Sequence, residues 1–483
     1  MVFSSPILLF LFLPVVLACT ALPGLKLRNS LLLLFSVLFY AWGEFLFVFL
    51  MLGSVAVNYW LGRWVERQSR PASRRWAVAL AIAFNLGMLA FFKYANFALD
   101  NLNAVLGWLG HAPLHYEPVR LPIGISFFTF HALSYVMDIY RRKAPAARNP
   151  GDVALYIFFF PQLIAGPILR WSGIAPQLAR RQVSREGFAE GVRRFVGGLA
   201  KKMIIANVVA VPTDQIFSLS SAQLTPALAW LGALGYTVQI YFDFAGYSDM
   251  AVGLGKMFGF EFLENFNFPY IAQSIKDFWR RWHISLSSWF RDYLYLPLGG
   301  NRCAPWRNYL NLVLVFFLCG LWHGARWTFV VWGLYHGVFL VLERTRFGSW
   351  VERMPRVLRH SYTLLVVVGG WVLFRAETFS QAMNFLANMA GLSAGQSAAQ
   401  PLARYLTQQV AWSLGLGALL SAPFWSWLKS QGLRLAQNAP GRLRPGVETG
   451  GAILEIAWFT LLFFVSTAWL AGDTYNPFIY FRF

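Results

Sequence analysis

The chain predicts an all-α, polytopic membrane protein, on three observations. Hydrophobic residues make up 57% of its 483 positions and charged residues only 13%, against about 25% charged in soluble domains. Apolar runs such as 77–92, 227–241 and 453–470 are continuous, and with their flanks they approach the roughly 20 residues that a helical span needs. Aromatic residues reach 18%, with 21 Trp and 45 Phe, as suits helices bordered by interfacial rings. A transmembrane barrel would alternate apolar and polar positions instead.

The net charge of +20 has its arginines clustered between hydrophobic runs, the loops that the positive-inside rule places in the cytoplasm. Anionic lipid headgroups are their natural counter-charge, and no nucleic-acid partner is expected. The three cysteines, Cys19, Cys303 and Cys319, have no CxxC spacing and imply no disulfide framework. Val16-Leu-Ala-Cys19 faintly suggests a cleavage box, but the first cation is Lys26. A secretory signal needs a basic start, so the first segment is expected to be retained as a span.

Residues 4–62 are read as three helices. Arg63, Arg67, Arg70, Arg74 and Arg75 against Glu66 put the next loop in the cytoplasm. The chain then goes out through 77–96, turns in the cation-poor loop 100–120 and returns through 121–140 to Arg141-Arg-Lys143. The run 153–169 has basic flanks on both sides and is broken by Pro161, Gly166 and Pro167. A re-entrant hairpin is expected there, since broken backbone is tolerated at depth when protein covers it. Spans follow at 203–218 and 227–247, then a mixed, mostly cytoplasmic stretch at 248–307. Two short runs, 308–322 and 327–342, flank a break at His323-Gly-Ala-Arg326. A basic loop and spans near 361–376, 409–427 and 452–470 complete ten to twelve crossings, with a second basic loop at 429–444. No internal repeat is visible. One membrane-embedded domain, 1–483, is expected, with N-terminal helices 1–62, a core 77–345 and C-terminal helices 346–483.

Three of the seven histidines fall within 277–337, the candidate catalytic region, and ionisable groups at membrane depth are costly enough to suggest function. Residues 278–294 have the period of an amphipathic helix. Trp282, Leu286, Trp289, Phe290 and Leu294 recur on one side, with Arg280, Arg281 and Arg291 largely on the other. His283 aligns with Leu286 and Phe290 and should face the interior. The arginines either anchor to headgroups or attract the phosphates of an acyl donor. His323 sits at the break beside Gly324 and suits a general base, because its unperturbed pKa of roughly 6.5 lets it take a proton near neutrality. The competing reading is a polar helix cap. His336 is read as structural. Asp243 and Asp249 are expected to form ion pairs with the neighbouring basic segment rather than to orient a histidine.

Other patterns lack their chemical context. His111 and His115 are separated by Pro113 and share no helical face, so no metal site is expected. Gly253-Leu-Gly-Lys256 lacks the spacing of a phosphate-binding loop. Gly391-Leu-Ser-Ala-Gly395 matches GxSxG but follows a helical run, not the required strand.

The blocks Asp277-Phe-Trp-Arg-Arg-Trp-His283, Leu321-Trp-His323-Gly-Ala-Arg-Trp327 and Leu334-Tyr-His336-Gly337 resemble the signature region of the membrane-bound O-acyltransferase family, in particular its bacterial polysaccharide-acetylating branch. The resemblance extends from Met1 to the closing 476–483, and 158–170 resembles the family's re-entrant motif. It implies that His323 is the catalytic histidine and that His283 occupies a second position, held by His or Asn, that works beside it. His131 stands where many relatives have glutamine, which makes it a poor candidate for an essential role. The resemblance further implies acetyl-CoA as acyl donor, with no permanently bound cofactor, and an inner-membrane setting. A periplasmic hydrolase-like acceptor or relay and a polysaccharide export complex are the implied partners, with an exopolysaccharide of the alginate or cellulose kind as final acceptor. D-alanyl transfer to teichoic acid from a carrier thioester, a transporter without chemistry, and a scaffold of a secretion complex are the alternatives. Inverted repeats would favour transport.

Overall fold

A computed structural model describes residues 3–21, 24–392, 401–438, 440 and 444–472. The closing 476–483 block and positions 393–395 of the GxSxG match lie outside the described residues. Every regular element among the described residues is helical. Among the described residues, six helices are long and apolar enough to cross a membrane: Leu25–Glu44, Phe47–Arg67, Pro71–Trp108, Arg185–Phe217, Arg356–Arg375 and Pro445–Gly472. Leu8–Thr20 and Trp327–Leu342 are shorter apolar helices. The protein is an all-α, multi-pass membrane protein.

The N-terminal three helices and the out-and-back pair fall where hydropathy puts them, with Pro71–Trp108 and Ile125–Tyr140 forming the pair. The outgoing helix of 38 residues runs past the expected 96. The broken run 153–169 is buried throughout. It enters as Pro150–Phe158, whose 9 residues rise only about 14 Å. Phe160–Leu163 adds one turn, and the chain then comes back irregularly. Trp171 Nε1 donates to Pro145 O at 2.9 Å, so the exit lies beside the entry. Inside, Tyr156 hydroxyl donates to Leu169 O at 2.9 Å and Gln162 Nε2 to Tyr156 O at 2.7 Å. Those bonds satisfy carbonyls that would otherwise cost several kcal/mol each away from water.

The expected span 203–218 is part of a longer helix. Arg185–Ala200 continues through a π-helical turn, Lys201–Ala206, into Asn207–Phe217. Its basic residues stay helical because the antiparallel neighbour, Pro226–Met257, carries their partners. Asp249 pairs with Arg194 at 2.9 Å and with Lys201 at 2.6 Å, and Asp243 pairs with Lys202 at 2.5 Å. The two carboxylates thus serve the ion pairs expected of them. The backbones touch at Gly191 against Gly253 and Gly198 against Gly246, where an added Cβ would lie 2.5–2.7 Å from the facing carbonyl. Small residues allowing close approach are the usual solution for helices in lipid. Gly253 therefore packs a helix crossing, and Lys256 pairs with Glu190 at 2.8 Å.

Two further expectations need correction. The run 308–322 is a full helix, Pro305–His323, of 19 residues. At about 1.5 Å per residue that nearly matches a hydrocarbon core. The expected run left out the first turn, Pro305, Trp306 and Arg307, while Asn308 and Asn311 within it bond Gly300 O and Leu298 O at 2.6 and 3.1 Å. The single span near 409–427 is two helices, Gln408–Leu420 and Phe424–Asn438, parted around Pro423. Trp171–Arg180, Arg346–Arg353 and Phe379–Met389 are short helices that apolar runs alone did not reveal.

Candidate active site

His323 is the last residue of Pro305–His323, and Gly324 turns the chain to extended backbone before Trp327–Leu342 begins. The two helices form a tight hairpin. An added Cβ at Gly320 would collide with the Phe329 carbonyl, and one at Gly333 with the Phe316 carbonyl. An added Cβ at Gly324 would strike the Phe329 ring, so the break itself requires a residue without a side chain. His323 is 6% exposed. Its ring packs edge-on against Trp322, Trp332 and Phe374, with centroids 4.9, 5.1 and 5.2 Å away. Nδ1 is enclosed without a hydrogen bond. The side chain thus faces protein, with its proton-accepting capacity uncommitted.

His283 also reaches this centre, by a different route from the one its helical period suggested. The expected helix over 278–294 is broken into Ile275–Arg281 and Ile284–Phe290, followed by a π-helical turn, Arg291–Tyr295. His283 sits between them with φ 42°, in the left-handed region that disfavours side chains. What holds the break is a segment the sequence reading passed over. Asn265 O accepts from Ile284 N at 2.9 Å, and Asn267 N donates to Arg281 O at 3.0 Å. Asn265 Oδ1 takes Ser285 Oγ at 2.9 Å and Ser285 N at 3.3 Å, and lies 2.9 Å from His283 Nδ1. An amide oxygen only accepts, so His283 donates from Nδ1 and Nε2 carries the lone pair. That Nε2 is buried and has no partner. The Trp322 indole lies 6.1 Å from the His283 ring and 4.9 Å from the His323 ring. The two histidines therefore flank one indole.

The hairpin over 153–169 completes the wall. Ile168 N donates to Ser285 Oγ at 2.9 Å and Leu169 N to His131 Nε2 at 3.2 Å. His131 thus accepts from a loop amide, a task that a glutamine oxygen could equally perform. His336 is enclosed by Trp279, Trp332 and Tyr335, with centroids 5.1–5.2 Å away, and neither of its nitrogens is hydrogen-bonded. Trp332 packs against both His336 and His323.

The three arginines do not share one polar face. Arg280 is exposed and makes no ion pair among the described residues, whereas Arg281 is held by Asp277 at 3.0 Å. Arg291 lies beyond the His283 break and pairs with Asp292 at 2.7 Å. Asp292 also takes Arg170 at 2.5 Å. Burial works against its charge, but Arg291 and Arg170 outweigh it and hold the carboxyl below its usual range.

A helical membrane core holds an uncommitted histidine at a helix break and a second one oriented by an amide, an arrangement with the chemical capacity to accept a proton. The membrane-bound O-acyltransferase family, MBOAT, matches residues 124–374 of this chain. The protein of Pseudomonas putida named "Probable alginate O-acetylase AlgI" is 43% identical, with both chains covered completely. Its namesake in Azotobacter vinelandii is 41% identical over the whole of both. The "Peptidoglycan O-acetyltransferase" of Helicobacter pylori is 37% identical over 81% of this chain and 80% of its own. The chain belongs to the membrane-bound O-acyltransferase family, and it is a membrane-embedded acyltransferase.

Proposed function

We propose that this protein transfers an acetyl group from a cytoplasmic thioester, acetyl-CoA, towards hydroxyls of an exported polysaccharide of the alginate or cellulose type. Transfer is direct or passes through a periplasmic relay protein, and the enzyme works in the bacterial inner membrane. The observation that carries the reading is the pair of buried histidines around Trp322, one with an uncommitted ring and one fixed through Asn265. Relatives named for alginate acetylation that cover the whole chain support the acceptor class.

In this reading neutral His323 takes the proton of the acceptor hydroxyl as its oxygen attacks the thioester carbonyl. The carbon–oxygen bond forms, and the tetrahedral intermediate collapses by breaking the carbon–sulfur bond. The imidazolium returns its proton to the departing thiolate, leaving ester and thiol. The Trp322 indole N–H, which has no partner, is the candidate donor to the oxyanion of the intermediate, and His283, whose free Nε2 only accepts, is a candidate to hold the acceptor hydroxyl. Exposed Arg280 is the arginine best placed to meet donor phosphates, with Arg281 and Arg291 secondary because carboxylates already hold them. Neither a thioester donor nor a polysaccharide crosses a roughly 30 Å hydrocarbon core unaided, so the reaction needs a centre within the fold.

The test is label transfer by purified protein from labelled acetyl-CoA, with alginate and cellulose oligosaccharides and with periplasmic extract. His323→Ala, at equal protein abundance, should lose transfer by about 10²-fold or more. Wild-type transfer by that variant would overturn the reading and favour a transporter or a scaffold.

A further inference from the structure

We propose that Lys93 and Tyr94 form a positioning clamp for the active-site break, setting the last turn of Pro305–His323 and with it the direction of the His323 side chain. The inference rests on the catalytic reading of His323. Pro71–Trp108 is an apolar helix that crosses the fold, and a lysine 8% exposed in its outgoing half is costly enough to need a reason.

The reason lies at the end of the facing helix. A helix leaves its last carbonyls without internal partners, and they carry the negative end of its dipole. Here the chain turns at Gly324, leaving the carbonyls of Trp322 and His323 buried and that of Leu321 part-buried beside them. Tyr94 hydroxyl donates to Leu321 O. Lys93 Nζ donates to Trp322 O, and also to His323 O at 3.2 Å. Its remaining bond goes to Ser126 Oγ at 3.2 Å, on the helix Ile125–Tyr140. An ammonium has three donors, and all three are used. The same ammonium lies 5.9 Å from the centroid of the Trp322 ring that both histidines contact.

The face of the long helix that carries Lys93 follows the break to its other side. Four residues on, Phe97 packs against Trp327 with centroids 5.7 Å apart. One turn further, Asn101 Oδ1 accepts from Trp327 Nε1 at 2.9 Å. Lys93, Phe97 and Asn101 lie at i, i+4 and i+8 on one helical stripe. That stripe grips the chain before and after His323, so a small shift of the stripe moves the catalytic ring.

Lys93→Met keeps the length and apolar stem of the side chain and removes the donors. Misplacement of a catalytic group by about 1 Å can cost about 100-fold. The expected result is a fall in kcat of about 10- to 100-fold per folded molecule, with KM for acetyl-CoA unchanged. Lys93→Arg, which restores a cation with several donors, should recover a large part of the loss. Wild-type kcat in Lys93→Met, or a loss confined to protein abundance, would overturn the clamp. If Lys93→Met does not accumulate, Tyr94→Phe decides. It removes a single bond to Leu321 O and should lower kcat several-fold, and an unchanged kcat would overturn the proposal. His323→Ala measured alongside separates the two readings. Activity in His323→Ala sinks the catalytic assignment itself, whereas an inactive His323→Ala with a fully active clamp variant sinks the clamp alone.

Discussion

Replacing Asn265 by Ala should disable the second histidine without touching it. The amide oxygen lies 2.9 Å from His283 Nδ1, and it accepts from Ser285 Oγ at 2.9 Å and Ser285 N at 3.3 Å. The amide nitrogen donates to Ser248 Oγ at 2.9 Å. Truncation leaves the Ser285 amide and the His283 N–H without acceptors in a buried site. The Ser285 hydroxyl regains an acceptor only when His283 changes tautomer, so that Nδ1, 3.5 Å away, accepts and the unpaired proton moves to Nε2. At about 1–3 kcal/mol for each orphaned donor, the loss comes to roughly 2–6 kcal/mol. Part of it appears as a lower unfolding midpoint in detergent. The rest appears in the rate, because His283 no longer has a fixed tautomer, although the main-chain bonds that brace its left-handed backbone remain. Initial rates of label transfer, measured beside the melting curve, separate the two. A double-mutant cycle sharpens the result. If Asn265 acts through His283, then Asn265→Ala combined with His283→Ala should be little slower than His283→Ala alone. Wild-type rate and wild-type melting in Asn265→Ala would refute the reasoning.

Other perturbations follow from the same geometry. Gly324→Ala drives a methyl group into the Phe329 ring. It should cost about 1–3 kcal/mol of stability by overpacking and lower kcat as His323 shifts, with Phe329→Leu as a partial suppressor in the same rate assay. His283→Asn should retain more activity than His283→Ala, since Asn keeps a hydrogen-bonding group, and equal rates in both variants would reduce His283 to packing. Cysteines placed at Arg148 and Arg180 should be labelled from one side of the membrane only, the cytoplasmic one, in intact cells against inverted vesicles. Opposite labelling of the two positions would exclude a re-entrant hairpin.

Much of the fold was legible because hydropathy and punctuation are local properties. The N-terminal three helices, the out-and-back pair and the hairpin over 153–169 could be read from apolar runs, basic loops and Pro161, Gly166 and Pro167. The boundaries failed wherever a polar residue continues a helix on the strength of a distant partner. Arg194 and Lys201 stay helical opposite Asp249, and Lys202 does so opposite Asp243. The helix over 278–294 failed for the converse reason. Its period is apolar and regular, but Asn265 and Asn267 capture the backbone on either side of His283 and break it.

The sequence by itself determined the class of protein, the approximate course of its spans and the identity of the histidine at the break. These follow from how many apolar residues occur in a row and from a small-residue interruption beside a titratable side chain. Only the tertiary structure decided what surrounds that histidine. Asn265 reaches His283 across 18 positions, and Lys93 reaches the His323 turn across 230. Composition and period carry no record of such pairs. A buried polar group must find its partner wherever packing brings one, and in lipid no water is available to stand in for it.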